Sequence, residues 1–204
     1  MMYPEDKQKM REWIWKTLED KKLLNSPKPG YGRIPNFKGA EKAAQMLRGT
    51  EEWMESEMIF SSPDSAQTKV REYALRDEKL LIMASPKLKK GYLLVDSKNL
   101  DGHEKSASTI RGAFKYGKTL KHFPVVDLVV EGSVAVDLSG RRLGKGGGYG
   151  DQEISHLFRE KSIHGDTPLV TTVHEIQIVK EVPTEPHDKQ INMIVTSQDV
   201  IRIR

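Results

Sequence analysis

Hydrophobic positions along this chain recur at two spacings, and the switches between them mark the elements. Over residues 5–22, Met10, Trp13, Ile14 and Leu18 fall three and four apart, with Leu24 just beyond, which is the period of an amphipathic helix. Residues 25–36 then hold three prolines and two glycines, too many helix breakers for a regular element. The stretch 25–37 is therefore expected to be an ordered loop or wrapping arm. Residues 38–48 predict a short helix with Ala40, Ala43, Ala44 and Leu47 inward and a stop at Gly49, and 51–56 continues the helical run.

From there strands and helices alternate. A strand over 57–60 precedes a helix opened by a Ser or Asp cap and running through Arg76. The apolar burst at 79–85 is a buried strand bounded by Pro86. Further strands are predicted at 91–96, at 125–137 as one or two pieces, at 168–173 and at 191–204. Helices are predicted at 106–116 and from 151, where Ile154, Leu157 and Phe158 form the inward stripe. The alternation predicts an α/β fold on a mainly parallel sheet. No internal repeat or heptad array is present.

Composition narrows the class. The 204 residues suit one domain spanning 1–204, and 30% charged with 37% hydrophobic residues is ordinary for a globular chain. There are no cysteines, so disulfides, thiolate metal sites and cysteine nucleophiles are excluded. No apolar run approaches the roughly 20 residues that cross a bilayer, and the charged start lacks a secretory centre, so a cytoplasmic protein with no membrane partner is expected. Lys and Arg number 33 against 29 Asp and Glu, a surplus of +4 that is small for this length, so nucleic acid is not expected as a partner. Composition does not fix the oligomeric state. No pair of the six histidines has metal-ligand spacing. His174, after an apolar run, is read as structural ahead of catalytic, and Trp13, Trp15 and Trp53 as packing residues.

The densest chemistry lies in GRRLGKGGGYGD, residues 140–151, with six glycines in the eleven positions 140–150. Glycines let backbone amides approach a ligand, and the helix that follows adds its positive N-terminal end. Arg141, Arg142 and Lys145 add full charge, so phosphate is the natural occupant, a flexible basic loop being the alternative. It is not a Walker loop, because Gly140 and Gly144 are too close and Gly146 follows Lys145. Nor is it G-x-G-x-x-G, because Tyr149 stands at the third glycine position after Gly144 and Gly146.

This segment resembles the signature G-x-R-L-G-[RK]-G-x-G-Y-Y-D of the 5-formyltetrahydrofolate cyclo-ligase family. Gly140, Arg142, Leu143, Gly144, Lys145, Gly146, Gly148, Tyr149 and Asp151 match, and Gly150 replaces the second tyrosine. Lys7 and Arg11 have the spacing of the family's first-helix cations, and residues 182–195 resemble its stretch carrying an acid near magnesium, with Asp188 at the first acidic position and Asn192 at the second. For Asp188 a turn residue after Pro186 is the alternative role. The segments at residues 11–20, 32–44 and 144–151 are closer to a divergent branch, the methenyltetrahydrofolate synthetase domain-containing proteins. Arg33, Asn36 and Lys38 either face the site or pin the arm.

The resemblance implies a Rossmann-like three-layer α/β domain and an ATP- and Mg-dependent cyclo-ligase that turns 5-formyltetrahydrofolate, or a related pterin, into its 5,10-methenyl form. It implies ATP-binding roles for Lys7, Arg11, Gly144, Lys145, Gly146, Gly147, Gly148 and Tyr149, and substrate contacts from Arg11, Arg142 and Tyr149. Lys145 and Arg142 would act on the moving phosphoryl group, and Asp151 and Asp188 would hold magnesium. The family's folate-contacting glutamate has no clear counterpart; Asp64 and Glu72 lie in the corresponding region. The competing assignments are a nucleotide-binding paralogue with another substrate and a non-catalytic protein holding RNA or a partner's phosphate.

Overall fold

The computed structural model describes residues 6–203. Glu5, where the first helix is expected to begin, and Arg204, at the end of the last predicted strand, lie outside the described residues. Helix α1 (Lys7–Asp20) starts at Asp6, whose side chain accepts from the Lys9 amide, and buries Met10, Ile14, Trp15 and Leu18. The segment 25–37 holds no regular helix or strand and ends in one isolated bridge, Leu24 to Phe37. Asn36 pins it by donating its amide to the Ser26 carbonyl, and the Trp15 indole donates to the Arg33 carbonyl.

Next come α2 (Ala40–Arg48), α3 (Glu51–Glu55), β1 (Met58–Ser61), α4 (Thr68–Arg76) and β2 (Leu80–Ala84). The chain continues through β3 (Tyr92–Asp96), α5 (Glu104–Ala107), α6 (Ile110–Tyr116), β4 (Lys118–Thr119) and β5 (Leu128–Glu131). It ends with β6 (Ala135–Asp137), β7 (Arg142–Leu143), α7 (Tyr149–Arg159), β8 (Leu169–Thr172), β9 (Ile178–Val179), β10 (Met193–Val195) and β11 (Val200–Arg202).

Eight strands form the main sheet in the order β11-β10-β8-β5-β1-β2-β3-β4. Pairings from β10 through β2 are parallel and those at both edges antiparallel. The pleat sends alternate residues to opposite faces. Ile59, Leu128, Val130 and Val195 meet α2 and α4, whereas Phe60, Val129 and Ile194 meet Ile154 and Leu157 of α7. That is the helix–sheet–helix layering expected of the class. No helix among the described residues is long and apolar enough to cross a membrane.

Several elements differ from the sequence expectation. The predicted helix 106–116 is two helices, because the Arg71 guanidinium takes the Ser108 carbonyl at 2.7 Å and Thr109 caps a new start. The segment 125–137 is two strands in different sheets. A second sheet of order β7-β6-β9, absent from the sequence expectation, packs under α1. Phe158 is exposed; the buried stripe of α7 is Glu153, Ile154 and Leu157.

The small sheet presents the glycine-rich turn. Asp137, buried at the end of β6, accepts from the amides of Ser139 and Arg141 with one oxygen and from Val182 with the other, at 2.8–3.2 Å. Gly140 lies at φ +84, and a Cβ there would meet the Ile191 carbonyl at 2.2 Å, so only glycine fits. Replacing Asp137 by alanine leaves these donors without their acceptor. Asp137→Ala is expected to cost about 2–4 kcal/mol, read as a lower urea midpoint at unchanged m value.

Candidate functional site

Strand β1 runs on to β2 on one side, while β5 returns to pair on its other side, so the chain reverses direction across the sheet between β1 and β5. In open α/β sheets the crevice outside the strand carboxyl ends at such a point takes ligands. A cavity of about 780 Å³ opens there. Asp64, beyond β1, and Glu131 and Gly132, at the end of β5, form its floor, and the turn 144–151 forms one wall. Lys87, Thr109 and Arg111 line it too, as do Tyr31 and Arg33 of the arm.

The wall is built from the residues singled out by sequence. Arg142, Gly144, Lys145, Gly147, Gly148, Tyr149 and Asp151 all line the cavity. Helix α7 starts at Tyr149 with Gly148 as its cap and no side-chain acceptor on its first turn. Its first amides therefore have no intrahelical carbonyl, and they carry the positive end of the helix dipole. The Arg142 side chain is 2% exposed; it donates from Nη2 to Asp151 at 2.8 Å and from Nη1 to the Gly132 carbonyl at 3.2 Å. Lys145 reaches across the floor to Asp64 at 2.6 Å.

Lys7, Arg11, Gly146 and Asp188 are not among the residues lining the cavity, and of them Arg11 holds the turn from α1. Arg11 donates through Nε to the Gly144 carbonyl at 2.8 Å, and its guanidinium lies against Gly146. Lys7 donates to both oxygens of Asp188, at 2.7 and 2.9 Å, and to Glu185 at 2.6 Å. Burial pulls the Lys7 ammonium down, but these hydrogen bonds outweigh it and hold its pKa above the usual value. Burial pushes the Asp188 carboxyl up; the Lys7 contact prevails and keeps it below the ordinary range.

Of the two expected magnesium ligands, Asp188 groups with Glu185 and His187, and Asp151 accepts from Arg142 and, at 3.0 Å, from the amide of Lys189, the residue after Asp188. Of the two acids in the region of the missing folate contact, Asp64 lines the floor, while Glu72 is buried on α4 in ion pairs with Arg76 and Lys69. His174 caps the turn after it through Nδ1, the structural role.

Sequence reasoning missed Glu131 and Glu153, which face the floor with 2% and 4% exposure. Glu131 ends a valine run, and Glu153 sits on the buried stripe where a polar residue breaks the pattern; that break was the available signal. Burial drives the Glu131 carboxyl well above the ordinary range, with Glu153 adding to it, and burial lifts Glu153 to about 7.

Comparison with known proteins finds relatives of the whole chain. The sequence profile of the 5-formyltetrahydrofolate cyclo-ligase family matches residues 4–197. The chain is similar to the methenyltetrahydrofolate synthase domain-containing protein of Bos taurus, 36% identical over 203 residues, 96% of this chain and 53% of that protein. The Homo sapiens protein of the same name is 35% identical over 204 residues, again 96% and 53%. The chain thus spans about half the length of the curated relatives it matches. The NMR structure of Aquifex aeolicus 5,10-methenyltetrahydrofolate synthetase superposes with a TM-score of 0.58 at 22% identity, over 96% of this chain and 93% of that one. A 5,10-methenyltetrahydrofolate synthetase from Mycoplasma pneumoniae gives 0.55 at 14% identity, over 93% and 98%. These two share the fold.

The raised carboxyls set a pH dependence. An acid whose pKa rises on folding keeps its proton in the native chain after the unfolded chain has released it, so stability falls as pH rises. For Glu153 that contribution is present below the unfolded value of 4.5 and lost as pH climbs through about 7. Urea midpoints of the ligand-free chain are expected to decline across that window, and Glu153→Gln to flatten the decline.

Proposed function

The chain belongs to the 5-formyltetrahydrofolate cyclo-ligase family, and from that premise we propose that it is an ATP- and magnesium-dependent cyclo-ligase acting on 5-formyltetrahydrofolate or a related formylated pterin. One observation carries this: the cation-bearing glycine turn and the open end of α7 form a wall of a cavity at the sheet's crossover, with room beside them for a ring. We read 1–204 as one cytoplasmic domain with 25–37 as its arm.

In the proposed reaction the formyl oxygen attacks the terminal phosphorus of ATP and ADP leaves. The second ring-system nitrogen then attacks the activated carbon and gives up its N–H proton, and the C–O bond breaks so that phosphate departs with the former formyl oxygen, leaving the methenyl bridge. An amide oxygen leaves poorly until phosphorylated, so the protein's work is alignment and charge neutralisation. The amides of 147–150 and Lys145 would hold the phosphates, giving up the Lys145–Asp64 pair. Arg142 would face the transferring group, Tyr149 would stand between nucleotide and ring, and Lys7 and Arg11 would keep the turn in place. Magnesium favours carboxylate, phosphate and water oxygens; Asp151 is the cavity-facing carboxylate of the pair the resemblance implies, and Asp188 would act from behind through the Lys7 contact.

The Gly150 departure favours a second reading, a nucleotide-binding paralogue with another substrate. Spectrophotometric detection of methenyl product from 5-formyltetrahydrofolate and ATP separates the two: no product at high protein concentration with MgATP binding intact selects the paralogue. Lys145→Ala is expected to weaken MgATP binding roughly 10- to 100-fold while leaving the melting temperature unchanged; calorimetric titration showing equal affinity would remove the phosphate role of the turn.

A further inference from the structure

The floor of the cavity holds charge that phosphate binding does not use. One buried guanidinium, Arg142, serves the carboxylates of Asp151, Glu131 and Glu153. Fully ionised, this cluster carries two negative charges in excess, within a cleft whose wall is built for anions. Its hydrogen bonding is incomplete. Arg142 Nε is buried with no acceptor among the described residues, and Glu131 Oε1 is buried with no N–H or alcohol donor among them, its carboxyl sharing a hydrogen bond with the Glu153 carboxyl alone. Native interiors rarely leave such groups unmade, since each costs about 1–3 kcal/mol, and inside a ligand cleft they mark where a ligand completes the set.

The missing partners have a definite chemistry. Two carboxyl groups side by side accept N–H donors, and they match a planar edge with a ring N–H beside an exocyclic amino group, as a carboxylate matches a guanidinium. The anion-holding turn and these acceptors meet at Arg142, so a ligand edge seated on the carboxyls would bring the rest of its ring under Lys145.

We propose that Glu131 and Glu153 form the ring-selecting end of the cleft, accepting the adjacent N–H donors of a 2-amino-4-oxopyrimidine edge. This rests on the cyclo-ligase reading, whose pterin substrates carry that edge. The pair contacts the ring away from the reacting formyl group, so it determines specificity and position. The phosphate wall binds its ligand independently of it.

The test uses the whole chain and three readouts: calorimetric affinity for free pterin, affinity for MgATP, and methenyl formation. Glu131→Gln and Glu153→Gln keep the shape but turn a donor toward the ligand's donors. Each is expected to weaken pterin binding roughly tenfold or more with MgATP affinity unchanged, as the exposed control Glu160→Gln should not. The desamino ring, lacking the 2-amino group, should bind the unaltered protein as weakly as pterin binds the variants. If a variant fails to fold, the desamino comparison carries the test.

Pterin affinity equal in all variants, or equal for pterin and the desamino ring, overturns the assignment. Carboxyl-dependent pterin binding without methenyl formation keeps the assignment and sinks the cyclo-ligase reading. Methenyl formation with pterin binding indifferent to both changes does the reverse, and absence of both pterin binding and product removes both.

Discussion

A guanidinium withdrawn from water has to be answered on several sides at once, and the arrangement of this cleft follows from how Arg142 is answered. Its side chain, on the short strand β7, is tied to the Gly132 carbonyl beyond β5 and to Asp151 on the first turn of α7. Removing one partner of such a buried pair is far more damaging than its net contribution suggests, because the remaining charge is stranded. Asp151 also accepts from the Lys189 amide, so the clamp joins the parallel sheet, the small sheet, α7 and the C-terminal loop.

The clamp also gives the Gly150 departure a physical sense. A Cβ at that position would lie 2.8 Å from Arg142 Nη2 and 3.1 Å from Glu131 Oε2. Any side chain at position 150 would have to displace the Arg142 guanidinium or the Glu131 carboxyl, so a glycine there fits the clamp.

The turn itself is held from two directions. In front, Lys145 meets Asp64 across the cavity; behind, Arg11 grips the Gly144 carbonyl and Lys7 is drawn to Asp188 and Glu185. The front contact is a single partly exposed ion pair, the kind worth little in water and readily exchanged for phosphate oxygens. The rear contacts come from the first turns of α1, whose position is set by the buried packing of Met10, Ile14 and Leu18. The turn can therefore change partners on its ligand side while its support stays put.

Much of this was legible in the chain. Periodicity located α1, α2 and the buried strands, because burial on one face or both imposes a spacing that no other segment can supply. Six glycines among cations marked the turn that lines the cavity, and seven of the eleven residues named for the site line that cavity. What periodicity cannot carry is pairing across the chain. The small sheet is built from strands of two or three residues, too short to show a period, and the break at Ser108 depends on an arginine on another helix. Nothing local says that Arg11 meets the Gly144 carbonyl, that Asp151 pairs with Arg142 and Asp188 with Lys7, or that Glu131 and Glu153 meet. The burial and charge of each are set by segments distant in sequence, and only the folded chain brings those segments together.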